Sequence, residues 1–311
     1  MAPAFLDWAL ANFSGYVAAD EGDDGPFCIL SAVENRCYKR LLYEVVDHDP
    51  THEDIRAFLR RLKAALTARD LPLLGVTTDG SALYPTPLAE VFGAVPHQIC
   101  PLPIVAEVGK AVLGAVASAR KGLAAQQPKL RRGRPSTPAA KPAARTKKRV
   151  AAQRAALFTQ RYLFVQRHVS KTARKMLWRL TRGLSHVYRL RVLMEQVYAL
   201  FERRCRPQTA LAKLAKLRCR LLRFPQVGET LKTLFAPTLD KALTFLDDKL
   251  LPSTSKAVER GNRRYRKMQK NVYRVRTQAQ ISARLALDMW CEAQAEGRQQ
   301  TLALLHLARA G

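Results

Sequence analysis

Three carboxylates stand out by their surroundings. Asp20 closes the short apolar run Tyr16-Val-Ala-Ala19. Asp79 closes Leu73-Leu-Gly-Val-Thr-Thr78 and is followed by Gly80. Glu259 lies in Ser255-Lys-Ala-Val-Glu-Arg-Gly-Asn-Arg-Arg264, a stretch otherwise dominated by arginine. In a sheet whose first and fourth strands are neighbours, Asp20 and Asp79 would point to one spot, and a helix packed on that sheet would add Glu259. Three clustered carboxylates repel unless cations hold them together. Hard oxygen ligands with open positions suit Mg2+ or Mn2+. Two such ions about 3.5–4 Å apart activate a nucleophile and stabilise the leaving oxygen in phosphodiester displacement, and neighbouring arginines would hold a nucleic-acid backbone. Each acid taken alone also has a plainer reading. Asp79-Gly80 fits an ordinary turn, and Glu259 fits an ion pair with Arg263 four residues on.

The elements that must position these acids follow from the pattern. Tyr16–Ala19, Phe27–Val33 and Tyr38–Val46 read as strands, the last two as a hairpin across Glu34-Asn35-Arg36. Thr51 is placed to cap a helix with Asp54 three residues on. Ile55, Phe58, Leu59, Leu62 and Leu66 supply its apolar stripe, and Pro72 stops it. Leu73–Thr78 reads as a buried strand, and His97–Cys100 as another. The resulting order is strand, strand, strand, helix, strand, helix, strand. From about residue 104 the pattern turns helical: Ile104–Ala125, several amphipathic helices over 151–250, a very basic helix over Ser253–Arg274, and another over Gln278–Glu296. Residues 128–148 are rich in Pro, Ala, Lys and Arg and read as a flexible linker.

Composition bounds the partners. The chain has 311 residues, 48% of them apolar, and a formal charge of +28 at pH 7. It has enough apolar content for a core. The charge is unevenly spread: residues 1–107 carry 8 Lys/Arg and 15 Asp/Glu, and residues 108–311 carry 45 and 10. A field of that size concentrates polyanions, and nucleic acid is the commonest inside a cell. No run is expected to reach the roughly 18 apolar residues of a membrane span, and no secretory signal is read at the N-terminus. The six cysteines form no C-x-x-C pair. A zinc ribbon is therefore unsupported, and reduced thiols in an intracellular protein are expected.

At the three acids the sequence resembles the DDE-class transposases of bacterial insertion sequences, most closely the branch with a long helical insertion before the final Glu. The matching stretches are Gly15-Tyr-Val-Ala-Ala-Asp20-Glu21, Gly75-Val-Thr-Thr-Asp79-Gly80-Ser81-Ala-Leu-Tyr84 and Ser255-Lys-Ala-Val-Glu259-Arg-Gly-Asn262-Arg263, with Tyr273-Arg-Val-Arg276 as a basic tail. The resemblance implies an α/β fold: an RNase H-like catalytic core carrying a large all-α insertion. Residues 1–104 would begin the core, 105–250 would form the insertion, including the basic linker 128–149, and 251–311 would complete the core. It implies Asp20, Asp79 and Glu259 as the catalytic and metal-binding triad, with Mg2+ or Mn2+ as cofactor. Cleavage at transposon ends and strand transfer to target DNA would follow. Glu21, Asp23, Asp24 and Glu34 are nearby substitutes for the first acid. DNA is the expected partner, a homo-oligomer the expected assembly, and the bacterial cytoplasm, at the nucleoid, the expected location. No membrane association is expected.

Two departures from the family pattern bear on activity. The family's Cys-x-Phe-His reads Cys100-Pro-Leu-Pro103 here. Only 19 residues precede Asp20, too few for the usual DNA-recognition region, so end recognition is expected elsewhere. The alternative is a truncated, inactive remnant that only binds DNA. A rival is an RNase H-like nuclease of another process, which would hydrolyse DNA without joining it.

Further DNA contacts are expected from Asn262, Arg263, Arg264, Arg266 and Lys267 beyond Glu259, and from Arg132 and Arg134. The last two lie in Arg132-Gly-Arg-Pro135, similar to the core of AT-hook peptides that enter the minor groove. Residues 121–154 hold 11 Lys/Arg and no acid, which also fits a loop that binds phosphate without preference. His97 and Cys100 read as a buried strand end, His48 and His52 as turn and capping residues, and Trp178, Trp290 and Phe164 as core.

Overall fold

The computed structural model describes residues 3–129, 138, 140–202, 205–221, 238–271, 277–295, 300, 303–304 and 306–307. The chain divides into two compact units, residues 1–102 with 240–311, and residues 103–239.

The first unit is built on a mixed five-stranded sheet in the order β3-β2-β1-β4-β5. The strands are β1 (Tyr16–Asp24), β2 (Phe27–Glu34), β3 (Arg40–Val46), β4 (Gly75–Thr78) and β5 (His97–Ile99). β1, β2 and β3 form an antiparallel meander, while β4 and β5 run parallel to β1. β1 is longer than the sequence suggests. It continues past Asp20 to Asp24, because antiparallel pairing with β2 extends to Asp24 opposite Phe27, beyond the point where β4 leaves its other edge. Asp20 therefore sits inside a strand, not at its end.

The two-residue alternation of strands divides the core. Val17, Ala19, Leu30 and Ala32 face one side, where they meet Ile55, Phe58, Leu59, Leu62 and Leu66 of α2 (His52–Thr67) and Leu88 and Val91 of α3 (Pro85–Phe92). α1 (Pro3–Leu10) contributes Ala9 and Leu10 to this core. Thr51 and Asp54 form the expected reciprocal cap of α2. On the other face, Ala18 and Val33 meet Ala257 and Val258 of the basic helix. Ile29 and Val45 meet Tyr265, Ile281, Leu285 and Cys291 of the two closing helices. The sheet thus carries helices on both faces, and Asp20 follows Ala18 on the face of the basic helix.

The second unit is helical among its described residues. It contains α4 (Pro101–Ala125, which begins at the unit boundary), α5 (Ala140–Thr159), α6 (Lys171–Leu180), α7 (Ser185–Leu200) and α8 (Pro207–Leu221). A helical turn, α9 (Thr238–Lys241), leads back to the first unit. That unit then closes with α10 (Lys256–Asn271) and α11 (Gln278–Gln294).

Two expectations are corrected here. The flexible linker does not run to residue 148, because α5 is helical from Ala140. Its Ala, Lys and Arg residues are strong helix formers, and Pro142 falls in the first turn, where no intrahelical donor is lost. Residues 130–137, with Arg132 and Arg134, lie outside the described residues. The expectation of no membrane-length run also fails. α4 is long and apolar enough to cross a bilayer by length and composition, with 28% of its most apolar window buried. Only Glu107 and Lys110 interrupt its first 18 residues. Its buried Ile104, Val108, Val112 and Val116 recur every fourth residue, the spacing of a helix packed along one stripe.

Candidate metal centre

Strand register brings the first two acids together. β1 and β4 pair in parallel with Ala18 opposite Thr77. Carried on by two residues, that register sets Asp20 level with Asp79, just beyond the end of β4. Asp79 makes the turn its Gly80 neighbour suggests, its Oδ1 accepting the Ser81 N–H at 2.9 Å, while Gly80 takes φ +103°. The plain reading and the functional one are therefore compatible.

Carboxylate oxygens of Asp20, Glu21 and Asp79 all lie within 4.8 Å of one another, and this trio could hold a metal ion. Glu21 enters where the sequence offered Glu259. Residues 20 and 21 leave opposite faces of β1, but Asp79 lies in the turn beyond β4, where strand alternation has ended. Glu21 is packed beside the Ser81 hydroxyl and Tyr84, whose side chain is wholly buried.

Glu259 lies in the first turn of α10, which packs on β1 and β2. Its oxygens are not part of the close trio, but its charge reaches Asp20. No ion pair joins it to Arg263 among the described residues. Three residues on, Asn262 lies on the same face of α10 and donates from Nδ2 to Asp20 Oδ2 at 3.1 Å. Asn262 is buried. The bond orients Asp20.

The electrostatics are those of a site short of positive charge. Burial first, then the charges of Asp79, Glu21 and Glu259, push the Asp20 carboxyl up to about 8, with the Asn262 amide pulling down. Burial also raises Glu21, opposed by the Ser81 hydroxyl and assisted by Asp79. Such shifts mark carboxylates held together at a cost. The donor set is all oxygen and anionic, which fits a hard divalent cation.

The remaining expected contacts divide by helix face. Arg263, Arg266 and Lys267 are exposed on α10. Arg264 is not available to DNA in the same way. Its guanidinium is committed to Asp288 Oδ2 at 2.7 Å and Glu292 Oε2 at 2.9 Å on α11, because its position faces the neighbouring helix. His97 makes a 2.9 Å hydrogen bond with Thr78 Oγ1. Neither it nor Cys100 belongs to a possible metal cluster among the described residues. Pro103 falls in the first turn of α4, where proline is tolerated. Phe164 is core, but Trp178 and Trp290 are 61% and 55% exposed, contrary to their expected burial. Their helices turn them outward, which a stripe of leucines alone did not reveal.

No family model matches the chain, and no match was found among curated proteins or solved structures.

Proposed function

We propose that the chain is a metal-dependent DNA nuclease and strand transferase of the DDE transposase class, with an RNase H-like core interrupted by a helical insertion. The observation that carries this reading is the convergence of Asp20, Glu21 and Asp79 where β1 runs past the end of β4, with the charge of Glu259 reaching Asp20 from a separate helix. The mixed sheet with β1 beside β4, and a helical unit inserted between β5 and α10, support the core-and-insertion reading.

Asp20, Asp79 and Glu259 would hold Mg2+ or Mn2+, with Glu21 as a fourth carboxylate. Ions bound there would supply a low-pKa nucleophile and stabilise the leaving oxygen. Asn262 fixes the orientation of Asp20. Arg263, Arg266 and Lys267 would counter backbone charge on the incoming strand. In cleavage, a water oxygen bonds to phosphorus and the bond to the 3′ oxygen breaks, releasing a 3′-hydroxyl. That hydroxyl then attacks a phosphodiester in the target and displaces its 3′ oxygen in turn. Joining two ends calls for two active sites, hence a homo-oligomer.

The test is a joining assay. Purified protein, Mg2+ or Mn2+, and duplex oligonucleotides copied from the DNA flanking its own coding sequence are incubated with supercoiled plasmid. Covalent transfer of labelled 3′ ends into the plasmid is the expected result. Hydrolysis without joining would replace this reading with that of a nuclease, and binding without either reaction would replace it with that of an inactive remnant.

A further inference from the structure

A second feature of the first unit adjoins the carboxylate site at Glu259. A cavity of about 790 Å³ opens between α10, the β2–β3 turn, α1 and the end of α11. Arg40, Lys256, Arg260, Arg263, Arg264 and Lys267 line it, and the acidic side chains in its wall are Glu259 and Glu292. Trp8 and Tyr38 supply aromatic wall. The Arg260 guanidinium lies 5.3 Å from the Tyr38 ring centre.

Arg40 is the anomaly. It is 3% exposed, and Nε, Nη1 and Nη2 are all buried with no hydrogen-bond partner. Buried charge without partners is expensive and calls for a compensating group. The other buried arginine among the described residues shows what satisfaction looks like. Arg191 is equally buried, pairs with Glu195 at 3.0 Å, and donates to the carbonyls of Leu163 and Gln166. Around Arg40, the acids whose charge reaches it are Asp288 and Glu292. Arg264 engages both, Asp288 through Oδ2 alone, while Asp288 Oδ1 is itself buried without a partner. Gly261 lets α10 lie close against the guanidinium: a Cβ there would stand 3.1 Å from Arg40 Nη2.

We propose that this cavity binds a phosphate group, with Arg40 as its buried anchor, Arg263 and Lys267 as its outer cations, and Trp8 and Tyr38 as a stacking wall for an attached base. A phosphate supplies the acceptor oxygens that Arg40 lacks, in the forked geometry guanidinium favours. A nucleotide unit of a DNA strand satisfies both the cationic and the aromatic walls. The inference rests on the proposed reading for its DNA ligand, but needs no metal at the carboxylates.

The test uses the full chain in EDTA, so that binding is read without cleavage. A fluorescent short oligothymidylate is titrated by anisotropy, with wild type beside Arg40→Gln, Arg263→Gln and, as a control, Arg60→Gln on α2. The expected result is a loss of about tenfold or more in affinity for Arg40→Gln. Its salt slope should fall by about one, and Arg60→Gln should be unchanged. Should Arg40→Gln fail to fold, the surface variant Arg263→Gln decides by the same criteria. Inorganic phosphate that competes in wild type at constant ionic strength would assign the site to free phosphate. A phosphate that does not compete, with a methylphosphonate oligonucleotide failing to bind, would assign it to the strand. Unchanged affinity and slope in folded Arg40→Gln would overturn the proposal. A failed metal-site reading would leave this result untouched.

Discussion

At the scale of residues, the account turns on how Asp20 is held. Its carboxylate is crowded by Glu21, Asp79 and Glu259 and steadied by one amide, from Asn262. Asn262→Ala should therefore lower metal-dependent nicking about 10- to 100-fold and raise the metal concentration needed, as loss of an orienting partner does elsewhere. A variant that retains wild-type activity at limiting Mn2+ would show the bond to be incidental. Glu21→Gln separates the trio seen in space from the triad seen in sequence. Loss of activity comparable to Asp79→Asn would make Glu21 a ligand, and mild loss would leave that role to Glu259. Asp20, Asp79 and Glu259 were legible because each ends or interrupts a pattern of another kind. Glu21 was read only as a substitute for Asp20 and not as its companion, since adjacent strand residues leave opposite faces and only the position of Asp79 in a turn reunites them. The polarity of Asn262 was visible in the sequence, its burial and its bond to Asp20 were not. Trp178 and Trp290 failed in the opposite sense, because type alone says little about which way a helix faces.

At the scale of elements, the order of strands and helices around the sheet was readable from alternation, the Thr51 cap and the α2 stripe. The extension of β1 was not, because its polar end beyond Asp20 is held by pairing with β2 and not by an apolar face. Two predictions belong here. Gly15 has φ +87°, and a Cβ would meet Leu74 Cγ at 2.5 Å, at the junction that feeds β1 and β4. Gly15→Ala should cost about 2 kcal/mol or more in chemical denaturation, and an unchanged midpoint would contradict that packing. His97 gives a pH dependence. Burial first, and then the charge of Lys241, holds its ring at about 4, against an ordinary 6.5. The unfolded chain takes up the proton first as pH falls. Stability from this group is intact above about 6.5 and drains away as pH falls toward 4, by on the order of 3 kcal/mol. Urea midpoints measured across that window should fall less in His97→Gln than in wild type. Parallel curves would place the acid sensitivity elsewhere.

At the scale of the molecule, charge is the dominant fact. The carboxylate site is in the first unit, and much of the positive charge lies in the stretch from 108 onward. DNA binding should consequently be strongly salt-dependent. The basic tract before α5 can be tested without cutting that helix: the triple change Arg131→Gln, Arg132→Gln and Arg134→Gln should lower the slope of log affinity against log salt by up to about 3. An unaltered slope would mean that the tract does not touch backbone phosphates. A deletion of 128–149 would confuse the question, since α5 begins at Ala140.

The most direct measurement is plasmid nicking in Mg2+ or Mn2+, with wild type beside Asp79→Asn and Glu259→Gln, each checked for folding by circular dichroism. The account predicts metal-dependent nicking by wild type and a loss on the order of a thousandfold or more in both variants. Nicking that survives in folded Asp79→Asn, or a wild type that binds DNA and cuts it in neither metal, would contradict the claim that these carboxylates form a catalytic centre.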